Sequence, residues 1–394
     1  MKTLQQSATD HQFVQNPYPF YERARRAGPF FLWHDYDLIC TSNAAACNAI
    51  FRDRRFGREV PAERAPTIPD HLQPFYAVEA HSMLELEPPR HTRLRGLVLR
   101  AFTSRRIAAF QPEIAELTHE LIDALPADAF DLLAQFGAKL PVIIIARLLG
   151  VPEAMADDLV AWSNAMVGMY MANRTAATEA RAVAATNAFV DFLRGYVEQR
   201  RADPRDDLIT SLIAAEEAGE KLTTDELITT CILLLNAGHE ATVHTIGNGV
   251  KTLLETGTVA VGMQPDNVAS CVEEILRFDP ALHMFTRHVY EDVGIMGQRF
   301  RRGDQVGLLL GGANRDPAVW DAPDQFVPTR PAKPHVSFGA GLHFCVGAPL
   351  ARLELQVALP ILFQRLPRLR LTETPIYADV YHFHGLKRLM VRAD

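Results

Sequence analysis

One stretch concentrates residues able to do chemistry: Phe338 to Gly347, FGAGLHFCVG. Gly339, Gly341 and Gly347 surround Cys345, and glycine permits positive φ and close backbone approach. The next segment, VGAPLARLELQVALPILFQRL, sets Leu350, Leu353 and Val357 at helical spacing. Cys345 is therefore expected just ahead of a helix N-terminus, where the dipole and unpaired N–H groups favour a thiolate. A buried, hydrogen-bonded thiolate beside aromatic and glycine surfaces suits an axial ligand of haem iron. Three other readings compete. A buried structural cysteine in a turn is one. A dinucleotide loop of the G-x-G-x-x-G kind needs glycine where Phe344 stands. A zinc site from His343 and Cys345 needs two further ligands at suitable spacing, and none is near.

The stretch resembles the Phe-x-x-Gly-x-x-x-Cys-x-Gly signature of the cytochromes P-450, the haem-thiolate monooxygenases. Further family elements run in order from NPYPFYERAR at Asn16 to GLKRLMVR near the end, so the resemblance covers essentially the whole chain. It points to the short soluble bacterial type. The implied fold is mainly α with small β-sheets, with haem b between a long distal helix and the proximal Cys345 loop and helix.

The resemblance assigns roles residue by residue. Cys345 is the iron ligand, with Phe338, Gly339 and Gly347 around it. Glu274 and Arg277, three apart and able to share a helix face, form with Arg330 a structural ion set behind the loop. His91 and Arg95 in PPRHTRLR, with Arg287 and His343, are the expected haem-propionate partners, since buried carboxylates require such pairing. Ala237 and Gly238 lie over the haem, leaving room for dioxygen and substrate. Glu240 is the acid of the proton relay, which heterolysis of the O–O bond requires. Here the chain departs from the family pattern: the alcohol position is Ala241, and Thr242 follows one helical step, ~100°, later. Water, Thr242 or a substrate hydroxyl is then expected to complete the relay. His239 is expected to be a packing or surface residue. Phe75 and Tyr76, the Met166, Met169, Tyr170 and Met171 group, Leu282, Met284, Phe285 and Phe383 are the expected pocket walls, suited to an apolar substrate.

The implied reaction is hydroxylation or epoxidation of a small apolar molecule with O2 and two electrons from a separate donor. Alternatives are a peroxide-driven or oxidative-coupling enzyme, or a non-turnover haem-binding sensor or carrier. Ferredoxin and ferredoxin reductase are the expected donors, because only a helix and a strand pair follow Cys345. Arg93, Arg95, Arg100, Arg105 and Arg106 form a local basic patch suited to an acidic ferredoxin.

Most of the elements that must position these residues read as helix. Arg105–Leu125, Ala154–Met171, Ala180–Arg201, Asp207–Ala218 and a long stretch from Thr224 to a stop near Gly257 all show helical spacing. Strand-like pieces are Phe30–Cys40, Phe285–Phe300, Gln305–Leu310 and Leu386–Val391. Two proline-rich stretches, Phe56–Pro89 and Asn314–Pro334, read as long irregular loops of the kind that wall sites. No repeat or Ser/Gly linker divides the chain, so one domain spanning 1–394 is expected.

Composition sets the bounds. The 394 residues are 48% hydrophobic and 22% charged, with 40 Lys and Arg against 47 Asp and Glu and a net charge of −7. That excludes a disordered chain and argues against a nucleic-acid binder. Cys40, Cys47, Cys231, Cys271 and Cys345 are odd in number and lack C-x-x-C spacing, which fits a reducing compartment. The polar start carries no expected leader or anchor. The apolar run Leu140–Ala146, stopped by Arg147, is far short of the ~20 residues that span a bilayer. The expected protein is a cytoplasmic monomer.

Overall fold

The computed structural model describes residues 1–170, 174–217 and 222–393. The fold is mainly helical with small sheets. The chain forms two compact units: Met1–Arg64, Ile114–Ala138 and Ala241–Asp394 in the first, and Ala65–Glu113 and Lys139–Glu240 in the second.

The first unit is organised on a six-stranded sheet in the order Lys2–Leu4, Phe31–Trp33, Leu38–Thr41, Gln305–Leu309, Met284–Val289, Phe56–Gly57. Met284 pairs with Leu309 and Arg287 with Val306, antiparallel. Two apolar clusters pack on this sheet. Phe13, Phe20, Phe31, Trp33 and Met284 belong to one. Ile50, Phe51, Val306 and Leu308 belong to the other, with Leu282 and Phe285 packed against it. Side chains alternate across a strand, and that alternation separates Met284 from Phe285. Met284 is therefore core packing rather than the pocket wall expected of it. The hairpin Val293–Ile295 with Gln298–Phe300 turns through Met296 and Gly297, both at positive φ, as a type I′ turn requires.

The second unit is helical. Arg90–Ala101, Lys139–Leu149, Ala156–Val167, Ala176–Ala202 and Leu208–Glu217 make up most of it. The Arg200 Nε donates to Asp207 Oδ2 at 2.6 Å, and its Nη2 donates to the Gly150 carbonyl at 2.9 Å. One buried cation thus ties three helix ends. The long helix spans Thr224–Thr256. Thr223 and Glu226 open it as a capping box: the Glu226 N–H donates to Thr223 Oγ1, and the Thr223 N–H donates to Glu226 Oε2.

Two expected elements change. The stretch Arg105–Leu125 is two helices, Ser104–Ala109 and Gln111–Asp123, because Pro112 cannot donate into a continuous ladder and suits a new first turn. The proline-rich stretch Phe56–Pro89 is not wholly irregular, since Gln73–Glu79 is a helix with Pro74 in its first turn. No described helix is long and apolar enough to cross a membrane.

The helix Ala348–Arg365 follows Cys345 and turns Leu350, Leu355, Ala358, Leu359 and Leu362 inward. Glu354 lies in that buried set, 1% exposed, and neither carboxyl oxygen has a hydrogen-bond partner. Burial pushes its pKa up to about 8. The sign follows from linkage. Below the ordinary carboxyl value both folded and unfolded chains hold the proton. Between there and pH 8 only the unfolded chain releases it, so stability falls at ~1.4 kcal/mol per pH unit. Glu354→Gln is expected to be the more stable protein at pH 8, by roughly 2–4 kcal/mol, with little advantage at pH 4.5. Urea unfolding at the two pH values checks this.

Candidate active site

Of the five cysteines, Cys345 alone is exposed. Its sulfur lies beside a glycine. A Cβ at Gly347 would stand 3.8 Å from Cys345 Sγ. Burial pushes the thiols of Cys231 and Cys271 up to about 12 and raises those of Cys40 and Cys47 as well. Those four stay thiols at neutral pH and make poor metal ligands.

The cysteine loop is shaped by its backbone. The Cys345 N–H donates to the Phe338 carbonyl at 3.0 Å, and the Gly339 N–H donates to Val336 at 2.8 Å. Gly341 has φ +70°, and a Cβ there would lie 2.1 Å from the Phe51 carbonyl oxygen. Only glycine fits that approach. Gly347 is the residue before the helix Ala348–Arg365, so Cys345 sits near the positive end of an 18-residue dipole.

Behind the loop runs the helix Val268–Phe278. Arg277 donates to both Glu274 oxygens at 2.7 and 2.8 Å, and Arg330 Nε reaches them at 3.1 Å. Glu274 and Arg277 side chains are 1% exposed. The Val327 N–H adds a fourth donor to Glu274 at 2.8 Å. The remaining guanidinium protons of Arg277 go to the carbonyls of Asn314, Pro323 and Gln325. The irregular segment Asn314–Pro334, which lacks its own ladder, is thereby held by one buried ion set. The structure brings Glu274, Arg277 and Arg330 together.

Sequence reasoning missed the neighbouring clamp. Glu273 binds Arg352 at 2.5 Å and His335 at 3.3 Å. Burial raises its pKa, but His335 and Arg352 together bring it down to about 2. Arg352 also lies over the Phe338 ring at 4.7 Å. Residues on both sides of Cys345 are thus tied to one carboxylate. The doubled acid in VEEILR was the available signal.

Arg287 is 3% exposed, with its guanidinium 5.0 Å from the Phe51 ring centroid. Phe285 lies against Phe51 and near Gly339. His343 stands on the loop, partly buried. Leu282 and Phe383 pair through an antiparallel bridge. On the long helix, Thr242 is buried, and Thr245 donates its hydroxyl to the Ala241 carbonyl at 2.7 Å.

In the second unit, His91 is buried and Arg95 partly buried on Arg90–Ala101. Arg93 pairs with the capping-box Glu226, and Arg106 with Asp206 at 2.7 Å. Two arginines of the expected patch are therefore neutralised locally, and Arg100 and Arg105 are exposed. Ala237 is exposed, and Gly238 has a packing reason, since a Cβ would meet Ile145 at 3.0 Å. His239 is buried, with Nδ1 2.9 Å from the Leu235 carbonyl, so it is a packing residue. Burial pushes Glu240 up to about 7. Phe75 and Met169 are buried, and Tyr170 is exposed and donates to Glu79 at 2.7 Å. Met171 lies outside the described residues.

The donor set fits a haem. One sulfur stands in a glycine-rich loop near a helix N-terminus, and a buried guanidinium on the strand Met284–Val289 suits a carboxylate.

Comparisons with known proteins agree. The family model described as Cytochrome P450 matches residues 268–373. The biotin biosynthesis cytochrome P450 of Bacillus subtilis (strain 168) is 35% identical over 397 residues, covering 99% of both chains. The vitamin D(3) 25-hydroxylase of Pseudonocardia autotrophica is 36% identical, covering 96% of this chain and 94% of the relative. A crystal structure of P450BioI with acyl carrier protein ligated to hexadec-9Z-enoic acid superposes at TM-score 0.91 and 34% identity, over 97% of this chain and 100% of that one.

Gly341→Ala is expected to push the loop off the Phe51 carbonyl and cut the haem content of purified protein several-fold. Glu274→Ala leaves two buried guanidinium groups uncompensated, at a cost of about 3–5 kcal/mol. Haem-to-protein absorbance ratio and thermal melting check both.

Proposed function

The chain belongs to the cytochrome P450 family and is a haem-dependent monooxygenase, and from that premise we propose that it hydroxylates or epoxidises a small apolar molecule. The balanced reaction is RH + O2 + 2 electrons + 2 protons → ROH + H2O. Haem b, when bound, supplies activation of O2. The observation that carries the reading is Cys345: one exposed thiol, in a glycine cradle, braced through Glu273 and Glu274.

The chain's own residues have separate tasks. Cys345 holds the iron through Sγ. Gly339 and Gly347 carry no side chain to crowd that sulfur, and the Phe338 carbonyl accepts the Cys345 N–H at 3.0 Å. Arg287 and His343 would hold carboxylates of the haem, and His91 and Arg95 are the further residues that would do so. Ala237 is the small residue that leaves room for the gas and substrate, while Gly238 lets the long helix pack close to Ile145. Glu240, with its pKa near 7, both holds and releases a proton at neutral pH. Ala241 offers no hydroxyl, and the Thr245 hydroxyl is spent on the Ala241 carbonyl. Protons therefore pass through water, Thr242 or a hydroxyl of the substrate. Leu282, Phe285 and Phe383 offer apolar surface to a substrate, and so do Phe75 and Met169.

Electrons come from a separate ferredoxin and ferredoxin reductase, drawn to Arg100 and Arg105 by charge. The protein works as a cytoplasmic monomer, which its five cysteines outside disulfides suit. The relatives named above make fatty acyl chains, free and carrier-linked, and sterol-like molecules the first substrates to screen.

The test is a library screened for spin-state shifts, followed by turnover under 18O2 with ferredoxin, its reductase and NADPH. One 18O atom is expected in the product. Product formed only with added peroxide, carrying none, overturns the monooxygenase reading. Glu240→Gln is expected to slow turnover roughly 100-fold. Ala241→Thr is expected to change the ratio of product formed to NADPH consumed. An unchanged ratio in Ala241→Thr together with a silent Thr242→Ala removes the proposed relay.

A further inference from the structure

The first unit carries a second group of chemistry-bearing side chains that oxygenation does not use. Asp279 ends the helix Val268–Phe278. His283 precedes the strand Met284–Val289, and His384 precedes Leu386–Arg388. The two segments are laced together. The His384 N–H donates to the Ala281 carbonyl at 2.8 Å, and the His283 N–H donates to His382 at 3.1 Å. The Asn248 amide donates to the carbonyls of Asp279 and His384 at 3.2 and 2.8 Å. A carboxylate oxygen of Asp279 and one ring nitrogen of each histidine consequently lie within 4.8 Å of one another. The three residues are 4%, 0% and 1% exposed.

The hydrogen bonds around His283 fix its tautomer. Tyr21 donates its one hydroxyl proton to the Tyr381 oxygen at 3.0 Å. Its oxygen lies 2.7 Å from His283 Nδ1 and must accept the proton there. His283 Nε2 is then a bare lone pair, buried and without a hydrogen-bond partner. Metal-bound imidazoles are held in this way, with one N–H on a neighbour and the other nitrogen on the ion. At His384 the nitrogen that faces the carboxylate is Nε2, 3.5 Å from Asp279 Oδ1, and Nδ1 is buried without a hydrogen-bond partner. Tyr18 donates to Asp279 Oδ1 at 2.6 Å and Tyr377 donates to Oδ2, which orients the carboxylate. An orphaned polar atom in a dry interior is costly, and one nitrogen of each imidazole is in that position.

We propose that Asp279, His283 and His384 form a mononuclear site for a divalent transition metal of the zinc class, separate from the haem iron. Imidazole with carboxylate is a donor set this class takes. Ligand atoms of a tetrahedral ion with bonds of ~2.0–2.1 Å lie about 3.3 Å apart, so the cluster closes on the ion by small side-chain shifts. The bound ion clamps residues 279–283 to residues 382–385, the pair of segments joined by the Leu282–Phe383 bridge. Lys251 and Arg315 are the neighbouring cations and oppose the ion, so affinity rests on the three direct bonds.

The test uses haem-loaded protein from zinc-supplemented growth, passed over chelating resin. Inductively coupled plasma mass spectrometry counts zinc, manganese, cobalt and nickel per chain. Zinc-edge X-ray absorption reads the ligands. One zinc per chain with scattering from two imidazoles is expected, falling at least ten-fold in His283→Gln and His384→Gln. Wild-type absorption decides the matter even where those variants do not fold. An adventitious ion only, meaning substoichiometric metal or zinc retained equally by folded variants, overturns the proposal, as does no metal at all.

Discussion

The structure depends on one buried carboxylate. Glu274 receives Arg277, Arg330 and the Val327 N–H inside the protein. Nothing in Asn314–Pro334 forms a ladder of its own, so its backbone carbonyls find their donors on the two arginines. Such an ion set contributes little net stability compared with an apolar isostere. Its value is that the two guanidinium groups offer several donors in fixed directions, which an apolar residue cannot. Beside it, Glu273 fastens His335 and Arg352, and the Leu276 carbonyl accepts from Ser337. One face of one helix thus holds the residues that flank Cys345.

Burial also sorts the ionisable groups. Cys40, Cys47, Cys231 and Cys271 are enclosed and remain thiols, while Cys345 is left in contact with its surroundings. Glu354 and Glu240 are both raised by burial, to about 8 and about 7. Glu354 lies within a helix core and acts through stability. Glu240 adjoins Ala241 and Thr242, where the proposed relay would draw on its proton.

Much of this was legible in the chain. The cysteine motif, the Glu-x-x-Arg pair and the long helix from Thr224 follow from local spacing, and local spacing is what a sequence displays. That helix reads from Thr224, where it begins, and the structure adds the capping box of Thr223 and Glu226 at its start. Other features need information the chain does not carry locally. Pro112 broke a helical period that looked continuous through Phe110. Pro74 opened a helix where prolines suggested only loop. The strand period of two, applied to Met284 and Phe285, would have put Met284 in the core. His283 and His384 are about a hundred positions apart, and nothing nearby in sequence marks either as the other's neighbour.

The central claim is that Cys345 is the thiolate ligand of a haem. It is tested most directly by reducing the purified protein under carbon monoxide and recording its absorption. The account predicts a Soret band at the long-wavelength position diagnostic of thiolate-ligated haem, absent from Cys345→His. A band at the shorter-wavelength position of histidine-ligated haem in the native protein, or a thiolate band that survives loss of Cys345, would contradict it.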